Sequence, residues 1–126
     1  MGDRSNIVIR ENNGARIYLY GHWSGEGILR SALVGLKSSR VNDPGYLARI
    51  VFADMIAGQE GEELGFGITT TMMDNNHPVL VLNEDETAWL EDSYQKITTS
   101  VIPAADLANL LTESATYEAI FSKYEL

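Results

Sequence analysis

Two short segments near the N-terminus have the residue pattern of paired β-strands. Residues 6–10 and 16–20 are rich in β-branched and aromatic side chains, which is typical of buried or half-buried strands. Asn13-Gly14 lies between them, and this dipeptide favours the positive φ angles of a tight hairpin turn. The pattern therefore predicts a β-hairpin at the start of the chain.

After the predicted hairpin, the apolar residues have the spacing of a helix. Between Ile28 and Leu36 the apolar residues recur every three or four positions, which predicts an amphipathic helix. Asp43-Pro44 predicts the start of a second helix, because Asp can accept hydrogen bonds from free amides and Pro needs no donor at the first helical position. Gly58 is a suitable residue to end that helix.

The remaining chain predicts further strands and then helices. Strands are expected over 66–73, 79–82 and 87–92, residues 93–101 fit either a strand or a loop, and helices are expected from Pro103 to about 111 and over 114–124. Strands that come in hairpins rather than alternating with helices indicate an α+β fold. We predict one domain, residues 1–126: an N-terminal β-hairpin, two helices, an antiparallel β-meander, and C-terminal helices packed on one sheet.

Composition narrows the class of protein. The 126 residues are 44% apolar and 21% charged, as in folded globular domains, and the lack of cysteine excludes disulfides and thiol chemistry. No apolar run reaches the roughly 18–20 residues of a membrane span, and the charged first ten residues lack the apolar core of a signal peptide. We therefore expect a cytoplasmic protein without a membrane partner.

The net charge of −9 is unevenly distributed along the chain. Residues 1–49 have seven basic and four acidic residues, a net charge of +3, whereas residues 50–126 have two basic and fourteen acidic residues, a net charge of −12. An acidic protein is a poor partner for duplex nucleic acid, because cations supply much of that affinity. Arginines of the first half, among them Arg4 and Arg49, either hold a small anion through guanidinium contacts or lie scattered on solvated faces.

The sequence contains no familiar catalytic motif. The glycines between residues 21 and 27 match neither the dinucleotide-binding nor the phosphate-loop spacing, and there is no serine-hydrolase elbow. The two histidines, His22 and His77, lack the spacing that prearranges a zinc site. We therefore predict no catalytic residue, no metal and no cofactor, and keep as an alternative a metal-assisted hydrolase that uses His22, His77 and Asp74.

Polar residues at strand ends and turns suggest a binding surface instead. Thr69 and Thr71 would share one face of a strand beside a turn rich in Asn, although Thr is also common on solvated faces. His22 and Trp23 lie in the loop after the hairpin. The candidate ligand-binding residues are Arg4, His22, Trp23, Arg49, Thr69, Thr71, Asp74, Asn75 and Asn76.

Three segments resemble small proteins encoded by actinobacterial phages and their hosts. They are Gly-Asp-Arg-Ser-Asn-Ile at 2–7, Tyr-Leu-Tyr-Gly-His-Trp at 18–23 and Met-Met-Asp-Asn-Asn-His-Pro at 72–78. The resemblance spans roughly residues 2–83 and leaves the acidic C-terminal part uncovered. That family has no settled function, so the resemblance implies only a phage-borne gene that acts inside a bacterial cell.

Together these observations predict a non-enzymatic phage accessory protein that acts by binding in the host cytoplasm. Its ligand is expected to be a host protein or a small anionic, nucleotide-like molecule, and a structural or assembly role is a further alternative. A homodimer is also expected, because an exposed sheet edge can pair across a two-fold axis.

Overall fold

The structure, a computed structural model, describes residues 2–99 and 101–126. Within these residues the strands are β1 (Ser5–Arg10), β2 (Arg16–Gly21), β3 (Phe66–Thr69), β4 (Val79–Asn83), β5 (Thr87–Asp92), β6 (Gln95–Lys96) and β7 (Ile102–Pro103). The helices are α1 (Ile28–Leu36), α2 (Pro44–Met55), α3 (Ala104–Glu113) and α4 (Tyr117–Tyr124), and a single 3-10 turn (Gly25–Gly27) precedes α1. The predicted α+β class is confirmed.

The predicted N-terminal hairpin is present. β1 and β2 pair antiparallel from Ser5 opposite Gly21 to Arg10 opposite Arg16. At the turn, Gly14 has a φ of +91°, and its amide donates to the carbonyl of Glu11. The Asn-Gly signal therefore has the conformational role that the sequence suggests.

The sheet is mixed, with the order β3-β2-β1-β4-β5-β6 and with β7 also paired to β5. β1 and β4 run parallel, and every other pair that the structure describes is antiparallel. The predicted meander of β3, β4 and β5 needs one correction: β3 pairs with β2 instead of β4, so β1, β2 and β3 are consecutive antiparallel neighbours on one side of the sheet and β4, β5 and β6 on the other. β1 and β4 lie at the centre of the sheet, each between two neighbouring strands, and nearly all of their residues are buried.

The main core lies between one face of the sheet and the four helices. Strand residues such as Ile7, Leu19 and Leu80 pack there with Leu29, Val51, Leu107 and Ile120 from α1, α2, α3 and α4. The predicted packing of helices on one sheet is therefore present. The opposite face buries a smaller cluster made of Val8, Tyr18, Val79, Val81 and Trp89, with Met72 against it.

Two local predictions differ from the structure. The strand predicted over 66–73 ends at Thr69, where the threonine hydroxyl accepts a hydrogen bond from the amide of Thr71 and turns the chain. Asp43 and Pro44 take the expected positions at the start of α2, but the Asp43 carboxylate makes no capping hydrogen bond and lies 4.0 Å from Nη1 of Arg40.

No helix among the described residues is long and apolar enough to cross a membrane.

Candidate functional site

Four of the predicted ligand-binding residues come together beside the start of β1. The Arg4 amide donates to Oδ1 of Asn76 at 2.9 Å, and the Asn76 amide donates back to the Arg4 carbonyl at 2.8 Å. Arg4 Nη1 lies 3.4 Å from Asp74 Oδ2, and Asn6 Nδ2 donates to Oδ1 of Asn75 at 3.2 Å. These polar groups bind one another, so they hold the 74–76 segment against β1.

The two histidines have different partners. His77 Nε2 lies 2.5 Å from Asp3 Oδ1, and its ring stacks on Tyr117 with a centroid distance of 5.4 Å. His22 Nδ1 is hydrogen-bonded to the Tyr20 hydroxyl at 2.8 Å. Nowhere in residues 2–99 and 101–126 do three His, Cys, Asp or Glu side chains form a group that could hold a metal ion. The hydrolase site predicted from His22, His77 and Asp74 is therefore not assembled.

Thr69, Thr71 and Arg49 lie apart from that polar cluster. Thr69 ends β3 opposite Tyr18, and Thr71 already lies in the turn beyond the strand, so the predicted row of hydroxyls on one strand face is not formed. Arg49 lies on α2 and lines an apolar groove with Phe52 and Ile68, a groove that none of the other predicted site residues lines. Arg4 and Arg49 thus do not converge on a common anion.

A pocket of about 470 Å³ lies beside Trp23, at the end of β2. Its volume falls within the range of small-molecule sites in proteins. It is lined by Tyr20, His22, Trp23, Glu63, Leu64, Gly65, Phe66 and Met73. His22 and Trp23 are the two members that the sequence singled out.

The pairing of β2 with β3 builds this pocket. Gly21 pairs with Phe66, and the His22 amide donates to the Gly65 carbonyl at 2.8 Å, which extends the contact past the end of β2. Gly65 has a φ of +103°, and a Cβ there would lie 2.7 Å from Cζ3 of Trp23. Only glycine therefore lets the backbone turn here while the indole ring lies directly against it.

The aromatic rings of the pocket are held at defined angles. The His22 ring lies edge-on to Trp23 at a centroid distance of 4.5 Å and edge-on to Tyr20 at 6.2 Å. The hydrogen bond to Tyr20 fixes the orientation of the imidazole between them. Trp23 is nevertheless 59% exposed, so a large apolar ring faces solvent at a preformed concave surface.

A second, more polar pocket of about 270 Å³ adjoins the first. Ser24, Ser31 and Gln59 supply its polar lining, and Trp23 and Phe66 line both pockets. Ser31 donates to Asp54 Oδ2 at 2.7 Å. The two pockets share Trp23 and Phe66 in their lining, and we refer to them together as the cleft.

The charge of the cleft is negative. Glu63 lines the first pocket, and Glu60 and Glu62 are exposed on the same segment. Among the described residues, no lysine or arginine lines either pocket. The arginines that the sequence analysis names as candidates for holding a small anion therefore do not line this cleft.

Sequence reasoning missed most of the pocket lining. The sequence pattern predicts Tyr20 and Phe66 as strand residues and predicts no role for Glu63 and Leu64. No local pattern marks these residues as neighbours, because they meet only through the pairing of β2 with β3.

Comparisons of this chain with protein-family models, with curated proteins and with solved structures found no match. The function is therefore inferred from the geometry of the cleft.

Proposed function

We propose that this protein acts by binding, and that a small molecule occupies the pocket beside Trp23. The observation that carries the proposal is the indole ring itself, which is 59% exposed and forms the wall of a pocket whose other rings are already in place. A preformed apolar pocket with a few polar groups is the usual form of a ligand site. Exposure of such a ring costs free energy in the empty protein, and a bound ligand recovers it.

The resemblance to phage proteins supports a setting for this activity, the interior of an infected bacterial cell. A phage accessory protein that sequesters a metabolite needs only affinity and abundance. Such a role needs no catalytic group.

The lining favours a neutral or cationic ligand over an anion. Glu63 would repel a phosphate in the pocket, and the candidate cation Arg4 does not line the pocket and is paired with Asp74 at 3.4 Å. Arg49 lines a different groove.

The test is retention of metabolites from a bacterial extract. The purified protein is mixed with the small-molecule fraction, washed on a filter and analysed by mass spectrometry, next to Trp23→Ala. Tyr94→Ala is the matched control, because Tyr94 is an equally exposed aromatic residue, 66% accessible, in the turn between β5 and β6.

We expect at least one metabolite to be retained by the wild type and by Tyr94→Ala and to be reduced at least tenfold by Trp23→Ala. Circular dichroism should show all three proteins folded. If nothing is retained, or if Trp23→Ala retains the same compounds, the proposed site is wrong.

We also propose that the protein forms a homodimer through β3. β3 forms one edge of the sheet, and it adjoins an apolar groove of about 370 Å³ lined in part by Leu19, Phe52 and Ile68. Ile68 is 61% exposed at this edge. Antiparallel pairing of β3 with the β3 of a second copy would extend the sheet and cover Ile68 in both copies.

A further inference from the structure

The chemistry of the pocket beside Trp23 points to a particular class of ligand. We propose that the pocket binds a quaternary or methylated ammonium group, as in choline-like molecules. This inference rests on the binding role proposed above and specifies what is bound.

Aromatic faces supply the first part of the argument. Tyr20, Trp23 and Phe66 line the pocket together with the His22 imidazole. The face of an aromatic ring carries partial negative charge, and a cation within about 6 Å of it is attracted, most strongly by Trp. Trp23 is the most exposed of these rings and therefore the most available.

A carboxylate supplies the second part. Glu63 lines the same pocket, Glu60 and Glu62 are exposed nearby on the chain, and no lysine or arginine of the described residues lines it. The pocket therefore attracts a cation by two independent means, the ring faces and a formal negative charge. An anion would meet repulsion from both.

The scarcity of free hydrogen-bond acceptors selects a methylated cation over a bare ammonium. The Tyr20 hydroxyl and His22 Nδ1 are bonded to each other, and Leu64 and Met73 add apolar surface. A bare ammonium has three N–H donors; the Glu63 carboxylate can accept one or two of them, but a donor directed at the ring faces or at Leu64 and Met73 would lose a water partner without gaining a protein partner. A trimethylammonium group has no donor and presents methyl groups to the apolar walls.

The experiment compares choline with 3,3-dimethyl-1-butanol, its uncharged isostere, by titration calorimetry. We expect choline to bind at least tenfold more tightly, because the isostere has the same shape without the charge. Glu63→Gln should weaken choline binding by roughly three- to tenfold and leave the isostere unchanged, since only the cation interacts with the carboxylate.

Variants test the location of the binding site separately from the class of ligand. Trp23→Ala should abolish binding of both compounds, Tyr94→Ala should alter neither, and urea unfolding should confirm that all variants are folded. Equal affinity for the two compounds, or no choline binding by a protein that retains another metabolite through Trp23, overturns the ammonium assignment and leaves the binding site standing. No binding of either compound together with no retained metabolite overturns both proposals.

Discussion

Trp89 shows what a tryptophan contributes to this protein when it is buried, in contrast to Trp23. Its ring is 9% exposed, and its Nε1 donates to Glu91 Oε2 at 2.8 Å. The ammonium of Lys96 lies 3.9 Å from the centre of the ring, and the guanidinium of Arg10 lies 5.5 Å from it. The indole N–H of Trp89 thus has a hydrogen-bond acceptor and its ring has two neighbouring cations, and the ring packs in the smaller cluster on the second face of the sheet.

Glu91 is the buried charge that connects distant strands. Nη1 and Nη2 of Arg16 donate to Oε1 and Oε2 of Glu91, at 2.9 and 2.7 Å, although β1 and β4 lie between β2 and β5 in the sheet. Burial opposes ionisation of Glu91, but the hydrogen bonds from Arg16 and Trp89 outweigh it and lower the pKa of this carboxyl below its usual value of 4.5. The same hydrogen bond to Glu91, opposed by burial, raises the pKa of Arg16.

Replacement of this carboxylate should cost stability in a pH-dependent way. Because the folded-state pKa of Glu91 is depressed, its stabilisation is present above the unfolded pKa near 4.5 and is lost as the pH falls through the folded value. Glu91→Gln should therefore lower the free energy of unfolding by about 2 kcal/mol at pH 7, the scale of a hydrogen bond to a charged group.

Urea unfolding of the wild type and of Glu91→Gln at pH 7, 5, 4 and 3 measures this difference. We expect the difference to shrink as the pH falls below 4.5. A difference that stays constant down to pH 3 would mean that the charge of Glu91 contributes nothing. Asp92→Asn is the matched control, because Asp92 is the exposed neighbour on the same strand and should change stability little.

At the scale of elements, α1 and α2 are in close contact at Gly35. A Cβ added there would lie 2.5 Å from Cγ2 of Val51 and 2.9 Å from Cδ1 of Leu47, both in α2. The glycine is therefore needed for the helix crossing, which brings α2 against the sheet beside α1.

Gly35→Ala sets two effects against each other. Alanine favours the helix by up to about 1 kcal/mol, but overpacking of a filled core costs about 1–3 kcal/mol. Because the contact involves buried Leu47 and Val51, we expect the second effect to prevail and the free energy of unfolding to fall by about 1 kcal/mol.

Gly45→Ala in α2 is the control for this prediction. No atom lies within 4 Å of a Cβ at that position, so alanine should stabilise the helix by about 0.5–1 kcal/mol. Thermal and urea unfolding measure the change in the free energy of unfolding for both variants, which should be negative for Gly35→Ala and positive for Gly45→Ala. Stabilisation by Gly35→Ala as well would show that α1 and α2 have room to move apart.

Local sequence signals made the individual helices and strands predictable, but they did not predict the order of the strands in the sheet. Asn13-Gly14 identifies the hairpin and Pro44 the start of α2, because each residue acts on its own stretch of backbone. The parallel pairing of Ile7 with Leu80 depends on tertiary packing, which no local pattern encodes. The pocket has the same origin: Trp23 was identifiable, but Glu63 and Met73 reach it only because β3 pairs with β2.

At the scale of the whole molecule, the proposed homodimer through β3 can be tested. Ile68→Lys would place a charge at the proposed dimer contact and should convert a dimer into a folded monomer, as measured by sedimentation velocity over a range of concentrations. Val34→Lys is the control, because Val34 is an exposed apolar residue on α1, away from the edge strand. A wild type that sediments as a monomer at every concentration contradicts the proposal.

The position of β1 between β2 and β4 also matters while the chain is being synthesised. β2 leaves the ribosome soon after β1, so the hairpin can close early, but the opposite edge of β1 has to wait for β4. At about 5–20 residues per second, β4 is completed about 3 to 12 s after β2. During that interval the buried apolar strand Ser5–Arg10 has an unpaired edge, and the nascent chain is then most open to mispairing with a neighbour.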